Sequence, residues 1–341
     1  MKRGGDKAAE DSAEPISNGR LTMADLARLA GVSKITVSRA MSDSTLVNPD
    51  TRARVRELAR QHGYSLNVTA RNLRLRRSHT VAVIVEMAPS PERPMSGPYP
   101  LELLGGISQE LTSAGYSVLL SARHGAITPA TQAADGVILL GQGAHEDAVH
   151  TVEGWRMPTV IWGADMGAGH IVVGSDNRHA GASVAEHFLA AGRSLPCFIG
   201  DLDHAENAER FAGFRNALAA KGITPSHIGE VGFTADAAAK AVAALLARGA
   251  FQADAIFAVS DLLAMGAIQA LHGHGIRVPE AVSVVGYDDT PMGASFVPAL
   301  SSVHQDLYQG GMLLARKVLA LIDGKPVSSE YLPTRLVIRG T

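Results

Sequence analysis

From residue 80 to the end, the sequence alternates short apolar runs with alanine-rich segments, and this alternation constrains the fold more than any other feature. Runs such as VAVIVEM, GVILLG and AIFAVSD have the length and composition of buried parallel strands. The segments between them, such as LELLGGISQELTSAG and AENAERFAGFRNALAAKG, read as helices. The pattern predicts two doubly wound α/β lobes, with a ligand bound at the carboxyl ends of the strands, in the cleft between the lobes.

An α/β chain of this kind can also be a nucleotide-dependent enzyme, but the sequence lacks the motifs of one. The first strand and turn contain no G-x-G-x-x-G. The chain has no phosphate loop, no nucleophile elbow, no H-E-x-x-H and no Cys/His cluster. We therefore expect no catalytic residue, no metal site and no cofactor.

The cysteine content and the first residues bear on the compartment. A single cysteine, Cys197, excludes an intramolecular disulfide framework and fits a reducing compartment. Residues 1–20 are polar and interrupted by Gly, Pro and Ser, which predicts a disordered tail and not an export signal. No stretch reaches the apolar length of a membrane span. We expect a cytoplasmic protein.

Charge is distributed unevenly along the chain. Residues 1–79 hold 15 Lys and Arg against 8 Asp and Glu, whereas the other 262 residues hold 16 against 25. The near-neutral net charge of -2 therefore averages a basic head and an acidic body. The excess remains without the tail, because residues 20–79 carry 12 basic and 4 acidic groups. Such a head is suited to a polyanion such as DNA.

The head contains the signals of three short helices. Thr22 caps LTMADLARLAG, which ends at Gly31, and Ser33 caps KITVSRAM after a tight turn. Asn48-Pro49 begins NPDTRARVRELARQHG, which closes a small core over the first two helices. The arrangement predicts a helix-turn-helix, although an ordinary three-helix bundle with a solvated basic face gives the same pattern.

In a helix-turn-helix the second helix enters the major groove of DNA. Arg39 is suited to a bidentate contact with guanine and Ile35 to a thymine methyl, and Lys34 projects beside them. Hydroxyl side chains can hold phosphates and set the register. The hydroxyl side chains predicted for this role are Ser33, Thr36 and Thr51.

The run TMADLARLAGVSKITVSRAMS, continued by LVNPDTRARVRELARQHGYSLNVTARNLRL, resembles the DNA-binding headpiece of the lactose/galactose-repressor (LacI/GalR) family. The resemblance implies a hinge helix after the third helix, which forms on cognate DNA and wedges a leucine, here Leu73, into the minor groove. One departure is Leu66, where the family usually has proline. The predicted DNA-binding residues are Thr22, Ser33, Lys34, Ile35, Thr36, Arg39, Asn48, Thr51, Asn67, Ala70, Leu73 and Arg74.

The body resembles the periplasmic-binding-protein fold that this family joins to its headpiece, on stretches such as VVGSDN, ERFAGFRNAL and GIRVPEAVSVVGYDD. The resemblance implies a helix-turn-helix domain at 21–66, a hinge helix and linker at 67–79, and an effector-binding and dimerisation domain at 80–341. It assigns about 80–176 and 305–328 to one lobe, and about 177–304 and 329–341 to the other. The segment 123–133 is shorter than in the family, which bears on the dimer surface or the cleft rim.

The same resemblance predicts the effector pocket residue by residue. Asp176, Asp261 and Asp288 also follow predicted strands, where carboxylates accept hydrogen bonds from hydroxyl groups, or alternatively cap the following helix. Phe233 is placed at the end of a strand EVGF. The predicted pocket residues are Tyr99, Trp162, Asp176, His204, Glu206, Arg210, Phe233, Asp261 and Asp288.

Together these features predict a homodimeric transcriptional regulator, in most of this family a repressor, that binds a pseudo-palindromic operator and a small metabolite. A sugar or a sugar acid such as gluconate is the first expectation for the effector. The recognition residues resemble those of the gluconate-operon repressor subgroup, and Arg210 and His204 can hold a carboxylate. A purine that acts as a corepressor is the second. A solute-binding module without a DNA role is the alternative class, against which the headpiece and the polar first residues argue.

Overall fold

The computed structural model describes residues 21–42, 44–65, 77–86, 95–122, 128–143, 147–165, 167, 169–229 and 231–341. The chain forms two compact units, Met1–Arg76 and Arg77–Thr341, which are called the headpiece and the body below. The predicted disordered tail and the predicted hinge residues Asn67, Ala70, Leu73 and Arg74 lie outside the described residues, and so does Leu66.

The headpiece contains the three predicted helices, α1 (Met23–Ala30), α2 (Lys34–Met41) and α3 (Pro49–Gln61). The Thr22 hydroxyl accepts a hydrogen bond from the Asp25 backbone N–H, and the Asp25 carboxylate accepts one from the Thr22 N–H, which forms a capping box. Gly31 ends α1 with φ 62. Ser33 and Asn48 cap α2 and α3.

A small apolar core joins these helices. Leu26, Val37 and Val55, one from each helix, are fully buried. Two arginines brace the turn between α2 and α3: Arg52 donates to the carbonyls of Ser44 and Val47, and Arg56 to that of Ala40. Part of the basic charge in this segment therefore stabilises the headpiece itself.

The body consists of two lobes, each with a six-stranded sheet. The first sheet is parallel, in the order β11-β5-β4-β3-β1-β2. Its strands are β1 (Thr80–Val85), β2 (Ser117–Ala122), β3 (Gly136–Leu140), β4 (Thr159–Trp162), β5 (Ile171–Ser175) and β11 (Glu330–Leu332), and its helices are α4 (Pro98–Ser113), α5 (Pro129–Gln132), α6 (Asp147–Glu153) and α12 (Leu307–Ile322), numbered along the chain.

The second sheet has the order β12-β10-β9-β8-β6-β7, and only the β10–β12 pair is antiparallel. Both sheets have apolar clusters against their helices, as a doubly wound arrangement requires. The strands are β6 (Pro196–Ile199), β7 (Ser226–Ile228), β8 (Ala255–Ala258), β9 (Ser283–Asp288), β10 (Ser301–His304) and β12 (Arg335–Val337), and the helices are α7 (Asn177–Ala190), α8 (Ala205–Ala219), α9 (Ala235–Ala247), α10 (Asp261–Gly273) and α11 (Pro291–Ala294).

Glycines let α8 lie unusually close to α7, and this contact positions the cleft. A Cβ atom on Gly181 of α7 would overlap the Arg210 carbonyl oxygen, and one on Gly213 of α8 would overlap that of Arg178. The two helices therefore pack backbone against backbone. Arg210 is thereby held in a fixed place on the cleft wall.

Two details of the sequence-based prediction are wrong. The expected lobe boundary placed residues 329–341 in the second lobe, but Glu330–Leu332 pairs with β5 in the first sheet, and the chain enters the second sheet only at Arg335. Residues 231–233, the described part of the expected strand EVGF, do not form a strand either. The strand β7 ends at Ile228, and the Val231 N–H bonds to the Gly229 carbonyl in a compact turn, which puts Phe233 in a loop before α9.

The part of the short segment 123–133 that the structure describes contains the four-residue helix α5, and residues 123–127 lie outside the described residues. In the described part of the chain, no helix has both the length and the apolar character needed to cross a membrane.

Candidate nucleic-acid interface and ligand cavity

The exposed face of α2 carries the side chains predicted to read bases. Lys34, Ile35 and Arg39 are exposed, with Ile35 at 64%, while Val37 between them is fully buried in the headpiece core. An isoleucine left in water on a helix of only eight residues is unfavourable unless something covers it. The helix therefore separates a packed side from a side that presents two cations and one large apolar group.

Three of the polar residues predicted to bind DNA, Thr22, Ser33 and Asn48, are helix caps, and of the three predicted to hold phosphates only Ser33 is one. The Ser33 hydroxyl accepts from the Thr36 backbone N–H at 3.1 Å, and the Asn48 amide oxygen accepts from the Asp50 N–H at 2.9 Å. Thr22 is bound to Asp25. Thr51 lies half-buried in the first turn of α3. Helix N-termini such as these present backbone N–H groups that suit an anion.

In the described headpiece, three cations make no ion pair or side-chain hydrogen bond: Lys34, Arg39 and Arg54. Arg28 is paired with Asp25 at 3.1 Å and Arg60 with Glu57 at 2.6 Å. Arg54 was not among the predicted DNA-binding residues, although its position in TRARV beside the caps was a signal that sequence analysis had available.

In the body, a cavity of about 180 Å³ lies between the lobes, at the carboxyl ends of the strands. The first lobe contributes Glu86 after β1, the Gly141–Gly143 turn after β3, and Trp162 at the end of β4. The second lobe contributes the start of α8, the start of α10 and the turn after β9. Seven of the nine predicted pocket residues line the cavity: Tyr99, Trp162, His204, Glu206, Arg210, Phe233 and Asp288.

Arg210 is held by the protein before any ligand arrives. Its Nε donates to Asn177 Oδ1 at 2.8 Å, its Nη1 donates to the Val259 carbonyl at 2.9 Å, and its guanidinium carbon lies 3.5 Å above the centre of the Tyr287 ring. The residue is only 8% exposed. Its Nη2 makes no hydrogen bond to the described residues, so one donor edge remains for a ligand.

The two acidic residues of the second-lobe wall, Asp288 and Glu206, both have raised pKa values. The pKa of Asp288 is raised to about 7: burial is the largest cause and the nearby Asp261 carboxylate adds to it, while Arg210 and Gln305 act in the opposite direction. Burial also raises the pKa of Glu206, and Glu86 across the cleft adds to that rise. Both groups would gain from hydrogen-bond donors supplied by a ligand.

Asp288 also has a costly backbone conformation. Its φ is 102 and that of Asp289 is 55, in the left-handed region that side chains other than glycine rarely adopt. Hydrogen bonds hold this turn: Gln305 donates to the Asp288 carboxylate at 2.6 Å, and the Ser302 hydroxyl accepts from the Asp289 N–H at 3.0 Å. Backbone strain of this kind is typical of binding sites.

Asp261 was predicted to contact the ligand, but it does not line the cavity. It is 1% exposed, and its carboxylate accepts hydrogen bonds from the Thr290 N–H, the Thr290 hydroxyl and the Ser302 hydroxyl at 2.6–2.8 Å. Ser260, not Asp261, caps α10. Asp261 therefore fastens the turn after β9 from behind, and Ser260 and Thr290 take the places on the cavity wall.

Asp176 does not line the cavity either. It caps α7, which is the alternative role that the sequence left open for it. Its carboxylate accepts from the His179 N–H at 2.9 Å at the start of α7. Sequence analysis also missed wall residues whose only signal was their place at a strand or helix end: Glu86, Gln142, Asn207, Ser260 and Thr290. The described residues contain no cluster of side chains suited to a metal ion.

Comparison with known proteins defines the class. Residues 22–67 match the family model described as bacterial regulatory proteins, lacI family, and residues 185–341 match that of a periplasmic binding protein-like domain. The chain is 31% identical over 332 residues to the HTH-type transcriptional regulator CelR of Thermobifida fusca, covering 94% of this chain and 96% of CelR. It is 33% identical over 335 residues to the HTH-type transcriptional regulator GntR of Pseudomonas aeruginosa, covering 93% of each.

Solved structures show the same architecture. The Lac repressor dimer bound to operator and the anti-inducer ONPF matches with a TM-score of 0.84 at 24% identity, over 94% of this chain and 99% of that one. A CelR–cellobiose complex matches with a TM-score of 0.67 at 29% identity, over the same shares. These matches define a class of two-part protein, a DNA-binding headpiece joined to a two-lobed ligand-binding body. The chain belongs to the LacI family: it is a sequence-specific DNA-binding transcriptional regulator that responds to a ligand.

The raised pKa of Asp288 predicts how stability depends on pH. Its folded pKa of about 7 lies above the ordinary value of 3.8, so between about pH 4 and pH 7 the folded protein holds a proton that the unfolded chain releases. The stability that this group contributes is present below that window and is lost as pH rises through it. Asp288→Asn removes the effect. We therefore compare the melting temperature of the variant minus that of wild type at two pH values. This difference should be at least about 2 °C larger near pH 8 than near pH 5.

Thermal unfolding of both proteins in matched buffers measures this difference. An equal change in melting temperature at the two pH values would show that Asp288 is not destabilised by its charge.

Proposed function

We propose that the cavity between the lobes is the effector site of this regulator and that its effector is a neutral, hydroxyl-rich sugar. The observation that carries this proposal is the state of Arg210: its Nε and Nη1 are already bonded to protein acceptors, while the Glu206 and Asp288 carboxylates border the same cavity. Carboxylates accept hydrogen bonds from sugar hydroxyls, and they repel an anionic ligand.

The aromatic side chains of the wall support the same ligand class. Trp162 ends β4 with its ring against Gly310 of α12, and Phe233 meets the ring of His204 edge-on at 5.0 Å. Tyr99 lies at the start of α4 on the other side. Flat aromatic faces together with a few fixed polar groups are the usual surroundings of a ligand that is apolar on its ring faces and polar at its rim. CelR, a relative over nearly the whole chain, has been solved with cellobiose.

A sugar acid such as gluconate is less favoured than sequence analysis suggested, because the guanidinium expected to hold its carboxylate has one free edge only and faces two carboxylates. A purine is the third candidate, supported by the similarity to the PurR repressor of Aliivibrio salmonicida, 28% identical over 319 residues. The cavity is proposed to serve regulation and not catalysis, and the protein is proposed to act in the cytoplasm.

For the headpiece, we propose that Lys34, Ile35 and Arg39 read bases and that the caps of the three helices hold phosphates. The support is the exposed face of α2, where these three side chains share one side and none is covered by the headpiece. Arg54 is added as a phosphate contact. The hinge roles of Asn67, Ala70, Leu73 and Arg74 stay predictions from the resemblance.

The DNA proposal predicts how Arg39→Ala changes the affinity for an operator. The operator is first selected from random duplexes by binding to the full chain. Loss of one bidentate base contact should cost about 1–3 kcal/mol on that operator and relax the preference at a single base position. The matched control is Arg28→Ala, because Arg28 is an exposed arginine already paired with Asp25 in α1. Fluorescence anisotropy gives both affinities, and an equal loss in the two variants would refute base reading by Arg39.

The effector proposal predicts which small molecules stabilise the full chain. D-Glucose, cellobiose, D-gluconate and hypoxanthine are each added at millimolar concentration, and the melting temperature is recorded, because a ligand of the folded state raises it by mass action. At least one neutral sugar should raise the melting temperature in wild type and fail to do so in Asp288→Ala. Stabilisation by gluconate or hypoxanthine alone would contradict the assignment of a neutral sugar.

A further inference from the structure

The chain crosses between the two lobes three times, and the crossings are bonded to one another. They follow β5, β10 and β11. At the first and third, the Asp176 N–H donates to the Leu332 carbonyl at 3.0 Å, and the Thr334 hydroxyl donates to the Asp176 carbonyl at 3.3 Å. Any change in the angle between the lobes must deform this group of bonds.

The second crossing contains Gln305, a glutamine that is only 3% exposed and does not line the cavity. Its Nε2 donates to Asp288 Oδ1 at 2.6 Å, and its Oε1 accepts from the Ser175 hydroxyl at 2.7 Å. Asp288 is on the cavity wall in the second lobe, and Ser175 is the last residue of β5 in the first lobe. One buried amide thus connects a ligand-facing carboxylate in one lobe to a strand end in the other.

The chemistry fixes the direction of this amide. An ionised carboxylate only accepts hydrogen bonds, so the NH₂ side must face Asp288, and the carbonyl side is then left for the hydroxyl of Ser175. The bond to Asp288 is charge-assisted and is therefore the stronger of the two while the carboxylate is ionised. Any event that reduces the negative charge on Oδ1 weakens it.

We propose that Gln305 is a positioning residue that transmits the state of Asp288 in the effector cavity to the first lobe through Ser175. A ligand hydroxyl that donates to Asp288 draws charge from Oδ1 and loosens the bond to Gln305. The crossing then relaxes at Ser175, beside the bonds of the first and third crossings, and the lobes change their angle. The inference rests on the proposed role of the cavity, but protonation of Asp288 offers a test that needs no sugar.

Protonation is a suitable probe because it changes the same atom. The charged and polar groups that act on Asp288 are Asp261 of α10, Arg210 of α8, Glu102 of α4 and Gln305 itself. Burial, which is the largest cause, and these groups together leave the pKa of Asp288 at about 7, so this carboxylate changes its charge within the range in which operator binding can be measured.

The experiment measures the Kd of the full chain for its selected operator at about pH 6 and about pH 8 at constant ionic strength. In Asp288→Asn the carboxylate cannot titrate, so its Kd ratio between the two pH values reports all other groups. The wild-type ratio should differ from that of Asp288→Asn by about fivefold. In Gln305→Met, where Asp288 still titrates but the amide is gone, the ratio should fall to within about twofold of that of Asp288→Asn.

Two further variants separate transmission from damage to the fold. Ser175→Ala removes the first-lobe end of the connection and should behave as Gln305→Met does, which also covers the case that Gln305→Met does not fold. Ser301→Ala is the matched control for Ser175→Ala: Ser301 is fully buried and does not line the cavity, and its hydroxyl donates to the Thr341 carbonyl at 3.0 Å and accepts from the Arg339 N–H at 2.9 Å, both within the second lobe. Its Kd ratio should stay near that of wild type.

The inference is overturned if Gln305→Met or Ser175→Ala keeps the wild-type ratio, if wild type does not differ from Asp288→Asn, or if Ser301→Ala loses the effect as well. The sugar proposal is tested separately by ligand stabilisation, so either one can fail while the other stands.

Discussion

The body depends on one constraint: its two sheets are joined by three chain crossings that are bonded together at a single place. Asp176 is fastened to Leu332 and Thr334, and Ser175 to Gln305, so the lobes share a common pivot. Because each lobe has its own closed apolar core, the cleft is the part of the body that can change at small cost. A ligand in the proposed effector cavity would bind beside this pivot.

Three charged side chains, Arg210, Asp261 and Asp288, lie on the second-lobe side of these crossings. Arg210 is held between Asn177, Val259 and the Tyr287 ring, and Asp261 uses both carboxylate oxygens to fasten the turn that carries Asp288. These bonds fix the wall in advance, which lowers the entropy cost of binding. Asp288 itself is left with a raised pKa and a strained backbone. Hydroxyl donors of the proposed sugar would stabilise the ionised form of this carboxylate.

Much of this architecture could be predicted from the sequence. Helix caps such as Thr22 and Ser33, and the alternation of apolar runs with helical segments, are local signals, so three headpiece helices and two α/β lobes followed from them. The family resemblance, and not a local pattern, gave the seven predicted residues that line the cavity. The role of Asp261 could not be assigned from the sequence, because a strand-end aspartate that lines a cleft and one that fastens a loop from behind have the same sequence context. Its partners, Thr290 and Ser302, are 29 and 41 residues away.

Gln305 illustrates a second limit on what the sequence alone can predict. Nothing in its neighbours VHQD marks it as a link, because its role comes from meeting Ser175 and Asp288 at sequence separations of 130 and 17. The third crossing was misplaced for a related reason: the three-residue strand β11 is too short to carry a pattern of its own. Long-range geometry of this kind has no local signature.

The central claim is that the cavity and the DNA-binding headpiece are coupled. Thermodynamic reciprocity requires that operator DNA change the affinity for the effector by the same factor by which the effector changes the affinity for DNA. The chain has two tryptophans, and in Trp155→Phe the fluorescence of Trp162 on the cavity wall reports ligand binding directly. Titration of the stabilising sugar with and without the selected operator should give Kd values that differ by about fivefold or more. Equal Kd values would show that the cavity does not control DNA binding.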